Sequence, residues 1–483
     1  MGHSTYHLET FGCQMNVLDS QLVEGQLRAL GLRPVDDHKA ADVILFNTCS
    51  VRQHAEDKVL SRLGRLKSLK RQRPEVVIGV LGCMAERIKE RLFDDLPHVD
   101  LLCGPGELHR LPELLHTVRQ AGGHVAALTG KKARRSQTAP DVGPPDDLEA
   151  LDCARQPGPL DNVLQSYVRV QRGCDKFCSY CVVPFVRGPE QSRTPDHIIT
   201  EVRTLAEHGC REVTLLGQTV NSYHYELGGQ PVRFAQLLER VHHVAEIDRI
   251  RFVTSFPADW DEDIFRVMRD YPRVMPYLHI PAQSGSDPIL KAMRRGYTVA
   301  EYLRLMDTAR RFVPDIALAG DFIVGFPGET EADYAATVEL VRRVEYKSIF
   351  VFKYSPRPGT LADSAQPDDI PAEIKIQRNN DLLKVQERIS LRQKQALVGQ
   401  SVEVLVEGRS KAAHKHARQL VGRTPGDLIA VFDGDPDHVG SLVNVHIESV
   451  SPLTLFGCIE SVVSPPRPGP PGHDPAPPLS AVG

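Results

Sequence analysis

The sequence predicts a mixed α/β protein of three folded units: an N-terminal parallel α/β domain, a partial barrel of six β/α repeats, and a small five-stranded β-barrel. Three observations predict this fold class. Short apolar runs alternate with helix-like segments in two blocks, the pattern of parallel sheets. A stretch rich in Pro, Gly and charge, KKARRSQTAPDVGPPDDLEALDCARQPGPL, parts the blocks. From residue 400 to 461 the helical period gives way to five successive strand signals, as in small barrels that often bind nucleic acid. A chain of 483 residues exceeds one ordinary core, so several domains are expected. We place them at 1–130, 161–398 and 399–463, with a linker at 131–160 and a disordered tail at 464–483.

In the first unit the runs YHLETFG, DVILFNT and VVIGVLG are each followed by a helix-like segment. In the second, six strands are expected at SYVRVQRG, EVTLLGQTV, RIRFVTS, PYLHIPAQS, ALAGDFIVGF and SIFVFKYS, with helices such as PDHIITEVRTLAEHG between them. Residues 370–398 read as one long amphipathic helix leading into the third unit. There the strands are expected at SVEVLVEG, ARQLVGR, LIAVFDG, LVNVHIESV and LFGCIE. The Pro-rich end, SPPRPGPPGHDPAPPLSAVG, cannot build a core.

A net charge of −4 excludes a globally basic nucleic-acid coat and leaves local patches as the only route to such a partner. One patch runs from Gly408 to Gly426 and holds Arg409, Lys411, Lys415, Arg418 and Arg423 without an acid, which suits phosphate binding. Ten cysteines in so long a chain point to thiols used for metal or catalysis in a reducing compartment, and the protein is expected to be cytoplasmic. The longest apolar runs are far too short to cross a bilayer, so no membrane role is expected.

Cys174, Cys178 and Cys181 follow the first strand of the second unit in a C-x-x-x-C-x-x-C run. A zinc with a distant fourth ligand is one reading. The spacing suits better an iron-sulfur cubane with three thiolates and one iron free. Cys13, Cys49 and Cys83 each sit just past a strand of the first unit. The carboxyl ends of parallel strands share one edge, so these three thiols are expected to meet there, although buried cysteine is the common fate of the residue. Cys103, Cys153, Cys210 and Cys458 show no such pattern and receive no function.

The run GCDKFCSYCVVPFVRG resembles the radical S-adenosylmethionine signature. The whole chain resembles the methylthiotransferase family through ETFGCQMN, RGPEQSR, LLGQTVNSY, LHIPAQSGSDPILKAMRRGYT, DFIVGFPGET and FKYSPRPGTLA, and its MiaB-type branch most closely through FGCQMN and GCDKFCSYCVVPF. Two positions depart from that branch: Thr219 stands where Asn is usual and Phe256 where His is usual.

The resemblance implies two 4Fe-4S clusters. One, on Cys174, Cys178 and Cys181, takes S-adenosylmethionine at its fourth iron, and its reduction releases a 5′-deoxyadenosyl radical. The other, on Cys13, Cys49 and Cys83, supplies sulfur. It further implies a cofactor contact at Tyr180 and a TRAM-type third domain, and strand-end placement adds Gly217, Gln218, Gln283, Ser284, Gly325 and Glu329 as candidate contacts, with Gly217 and Gly325 equally readable as tight turns. The expected substrate is a tRNA bearing N6-(dimethylallyl)adenosine, methylthiolated at C2. An electron donor such as flavodoxin or ferredoxin is expected, and a monomeric state.

Overall fold

The computed structural model describes residues 4–50, 53–129, 147–155, 164–410 and 418–467. The first unit is a six-stranded parallel sheet. Its three central neighbours are the predicted runs, now strands Thr5–Phe11, Val43–Thr48 and Val77–Leu81. The strands outside them, Arg33–Pro34, Leu101–Cys103 and Val125–Ala127, are two or three residues long and carry no period for a sequence reading to find. Val43–Thr48 and Val77–Leu81 are buried at every position because helices cover both faces. Gln14–Ala29 and Leu111–Ala121 pack on one side through Val23, Leu27 and Leu114, and Gln53–Gln72 packs on the other through Val59, Leu63 and Leu66.

Part of the expected linker is helical. Asp147–Cys153 forms a helix because Leu148 and Leu151, three residues apart, dock on the N-terminal core while Asp152 is buried beneath Arg169. The remainder of 131–160 lies outside the described residues except Ala154 and Arg155.

The second unit has the six expected strands: Gln165–Arg169, Glu212–Leu216, Arg249–Phe252, Tyr277–His279, Ala317–Val324 and Ser348–Lys353. The first three form one parallel sheet and the last three another, joined by an isolated parallel bridge between Ile250 and Val274. Capping boxes begin two of the outer helices, Thr298 with Glu301 and Thr330 with Asp333, which satisfies backbone donors otherwise left free. The long helix, Ala372–Gln395, packs against the last strand.

The third unit closes into a barrel from strands Ser401–Arg409, Gln419–Arg423, Ile429–Asp433, Leu442–Val450 and Thr454–Ser464, as the five signals predict. The described part of the expected tail begins tied down, for Arg467 Nη2 donates to Asp248 Oδ1 at 2.9 Å, and residues beyond 467 lie outside the described residues. Cys458 is exposed on the last strand rather than packed in a core.

The small barrel presses a loop, residues 424–428, into the floor of the partial barrel. Arg251 donates to the carbonyls of Thr424 and Pro425, each at 2.8 Å, and Lys347 Nζ donates to Asp427 Oδ2 at 2.6 Å. Arg249 reaches Glu403 at 2.7 Å, and Gln165 Nε2 donates to Glu407 Oε1 at 2.9 Å. These partners start the barrel strands or lie near their starts, so the third unit seals the end opposite the strand termini.

Glu407 carries a readable signature of this seal. Burial pushes its carboxyl from 4.5 up to about 7, with Arg423 opposing the shift. The folded chain therefore keeps a proton that the unfolded chain releases near pH 4.5. Stability falls as pH rises between those values, by about 3 kcal/mol. Glu407→Gln is expected to raise the thermal midpoint at pH 8 and to change it little at pH 4.5; an equal effect at both would show that Glu407 is ionised in the fold.

Candidate active site

Strand order brings the first three thiols together. Cys13, Cys49 and Cys83 follow three adjacent strands, spaced about 4.8 Å apart, so their carboxyl ends form one ledge. Gly12, at φ +141°, allows the closest approach: a Cβ there would lie 2.4 Å from Cys49 Cβ. The ledge is braced from below. Asn47 Nδ2 donates to the Asn16 carbonyl at 2.9 Å, Asn16 Nδ2 donates back to Asn47 Oδ1 at 3.1 Å, and the Cys13 thiol donates to Asn16 Oδ1 at 3.2 Å. After Cys49, Ser50 donates to Glu56 at 2.6 Å, and Arg87 binds the other oxygen of Glu56 at 2.8 Å.

The second triad lies in the loop after Gln171–Arg172. Gly173 holds that loop against the RGPE segment, where a Cβ would fall 1.8 Å from the Pro189 carbonyl oxygen. Arg295 Nη1 donates to Cys178 Sγ at 3.3 Å, and its Nη2 is anchored on the Pro281 carbonyl at 3.0 Å.

All six thiols line one cavity of about 490 Å³, which runs from the ledge into the partial barrel and ends at Arg423 and Asp427. Cys13 is drawn down to about 6, first by a hydrogen bond with Cys49 and further by Arg187. Burial does the opposite to Cys83, Cys174 and Cys181, raising the last to about 12, with Cys178 adding to its shift. Thiols so buried ionise when a metal centre shares the charge. Soft sulfur donors in threes are the chemistry of iron-sulfur clusters, although among the described residues no three such side chains stand already gathered around a metal position.

Four of the seven expected cofactor contacts line this cavity: Tyr180, Gly217, Gln218 and Gln283. Gln218 Oε1 is buried there without a hydrogen-bond partner, an acceptor suited to an ammonium group. Ser284, Gly325 and Glu329 are not among the residues that line this cavity, although Glu329 Oε1 is buried without a hydrogen-bond partner. Ser284 Oγ faces Thr337 Oγ1 at 3.4 Å and accepts from the Ser286 amide. Gly325 is a tight turn at φ +70° pressed on Lys375, and Glu329 accepts from the Gly325 amide and from Arg378, both at 2.7 Å.

Of the expected RNA contacts, Arg409 and Arg418 are exposed, while Lys411 and Lys415 lie outside the described residues. Arg423 is no free phosphate contact. Its side chain is 20 % exposed and pairs with Glu407 at 3.3 Å and Asp427 at 2.8 Å.

The sequence reading missed Arg187 and Arg295, although both stand in quoted motifs. The two departures from the branch pattern lie on the cavity wall. Phe256 lies under the Arg295 guanidinium, 4.6 Å from ring centre to Cζ, and Thr219 Oγ1 donates to Glu190 Oε1 at 2.7 Å; both residues line the cavity.

Comparison with known proteins agrees with this arrangement. Residues 5–104 match the uncharacterized protein family UPF0004, residues 168–341 the radical SAM superfamily and residues 395–459 the TRAM domain. A tRNA-2-methylthio-N(6)-dimethylallyladenosine synthase of Rhodopirellula baltica is 46% identical over 463 residues, covering 95% of this chain and 96% of that one. Its counterpart in Sulfurihydrogenibium is 42% identical over 94% of this chain and 99% of its own. Among solved structures, the radical S-adenosylmethionine methyltransferase TsrM of Kitasatospora setae, with cobalamin and a [4Fe-4S] cluster bound, superposes with a TM-score of 0.53 over 75% of this chain and 77% of that one. At 15% identity this is a likeness of fold alone. The chain belongs to the methylthiotransferase family of radical S-adenosylmethionine enzymes, in the branch of tRNA-2-methylthio-N(6)-dimethylallyladenosine synthases.

Proposed function

We propose that this enzyme converts N6-(dimethylallyl)adenosine at position 37 of tRNA, beside the anticodon, to its 2-methylthio derivative by sulfur insertion at C2 and methylation. The observation that carries the proposal is the pair of thiol triads lining a single cavity. Hydrogen on C2 of adenine has no useful acidity, so a general base cannot remove it. Two 4Fe-4S clusters with S-adenosylmethionine supply what the side chains cannot: one-electron chemistry strong enough to break that bond from Cys174, Cys178 and Cys181, and sulfur from Cys13, Cys49 and Cys83.

The chain's own residues place the reactants. Gln218 offers an unpartnered acceptor to the methionine ammonium, and Tyr180 offers a ring, set edge-on to Phe326, beside the adenosine. Val253, Tyr277, Phe350 and Phe352 line the same cavity as apolar surfaces that suit the dimethylallyl group. His279, with Nε2 3.0 Å from Asp321 Oδ1, lines the same space. Arg409 and Arg418 on the third domain suit the phosphates of the tRNA, consistent with the TRAM match. We further propose a cytoplasmic monomer served by a small electron carrier such as flavodoxin or ferredoxin. Among the described residues no helix is long and apolar enough to cross a membrane.

The decisive experiment uses anaerobically reconstituted protein with S-adenosylmethionine, reductant and tRNA carrying the dimethylallyl base, read by nucleoside mass spectrometry. Cys178→Ser is expected to abolish 5′-deoxyadenosine formation. Cys49→Ser should keep that product and yield no methylthio nucleoside. Full methylthiolation by both variants would contradict the assignment of two centres. For tRNA binding, Arg409→Ala and Arg418→Ala should each flatten the dependence of log affinity on log salt by about 1. In contrast, Arg423→Ala should lower the thermal midpoint, because it removes a buried guanidinium that binds Glu407 and shares Asp427 with Lys347.

A further inference from the structure

Two anionic centres facing one low-dielectric cavity repel each other, and each needs positive charge at close range. The Cys174 triad has Arg295, hydrogen-bonded to Cys178 Sγ. The structure offers the other triad an equivalent cation. Arg187 follows the short helix Val183–Val186 that leaves Cys181, and Val182 and Val186 share a buried cluster with Cys83. Its side chain is 6% exposed and lines the cavity.

Arg187 is also held more firmly than a cavity side chain ordinarily is. Its Nη2 donates to Asp19 Oδ2 at 2.8 Å. Asp19 lies on Gln14–Ala29, the helix that starts directly after Cys13, and its side chain is fully buried. The other oxygen of Asp19 accepts from Arg169 Nη1 at 3.0 Å, and Arg169 in turn grips both oxygens of Asp152, at 3.0 and 2.7 Å. Bound through both oxygens, the Asp19 carboxylate has no freedom to swing, so it fixes the guanidinium that it holds. One group from the radical domain is thereby locked to the helix that carries Cys13.

We propose that Arg187 is a positioning residue for the centre on Cys13, Cys49 and Cys83: clamped by Asp19, it stabilises negative charge on that centre, holds its reduction potential up and fixes the ledge against the radical domain. This rests on the reading of those three cysteines as cluster ligands. A lysine would serve less well, because its ammonium is a point charge without the fixed fork of the guanidinium.

The test is a redox titration of the reconstituted holoenzyme, monitored by electron paramagnetic resonance, with iron and sulfide counted. Arg187→Gln should lower the potential of the Cys13, Cys49 and Cys83 centre, leave that of the Cys174 triad where it was, and cut the methylthio product at least tenfold. Arg187→Lys, which keeps the charge and the pairing to Asp19, should lower the same potential by less. Unchanged potentials in both variants, with iron content intact, overturn the proposal and leave Arg187 a structural residue. A wild-type chain that binds a single cluster overturns the reading beneath it instead, and iron content distinguishes the two failures.

Discussion

The buried run of charge from Arg187 through Asp19 and Arg169 to Asp152 is the constraint on which the rest depends. It joins the helix after Cys13, the helix Asp147–Cys153, the first barrel strand and the segment after the second triad. Apolar contacts accompany it, Leu148 and Leu151 on the N-terminal core and Met15 and Leu18 beside Tyr167 of the first barrel strand. Buried ion pairs are a weak source of stability, because desolvation cancels much of the attraction. Their strength is directional: an Arg forked onto a carboxylate fixes distance and angle together. Two thiol triads that must serve one substrate need a fixed separation more than they need a larger core.

The same logic operates at the other end of the barrel. Arg249, Arg251 and Lys347 all meet the third domain through hydrogen bonds to its loop and first strand rather than through packing alone. Asp427 is held well below the usual carboxylate range by Lys347, Arg423 and Arg251 despite its burial. A partial barrel with six strands is wider open at its floor than a closed one, and water entering there would reach the cavity that the thiols line. The third domain is thus part of the wall of the site. Its exposed cations Arg409 and Arg418 and its floor residue Arg423 stand at opposite ends of one strand pair, so a single element faces both the solvent and the chemistry.

How much of this was legible in the sequence follows from the kind of signal each part carries. Strand ends of parallel units are readable, because alternation marks the strand and topology puts all carboxyl ends on one edge. That rule located the six thiols. It names an edge but no direction, so it does not separate Gln218, which lines the cavity, from Ser284, Gly325 and Glu329, whose groups meet Thr337, Glu329 and Arg378. Short strands such as Leu101–Cys103 have too few residues for a period. Arg187 and Arg295 were overlooked because an arginine in sequence reads as surface, and only the fold shows that the acids, rings and sulfurs around it make burial tolerable.

Phe256 shows what such burial asks of a neighbour. The Arg295 guanidinium has sulfur on one side and the Phe256 ring 4.6 Å away, with Tyr297 donating no positive charge of its own. A histidine, which the family resemblance gives as usual here, would when protonated set two cations together against Arg295 in a poorly hydrated place. A phenyl face presents negative potential and cannot acquire a proton, so it attracts the guanidinium at every pH. Phe256 is thus linked to Cys178 through Arg295, and the guanidinium bonded to this sulfur rests on a ring that does not titrate.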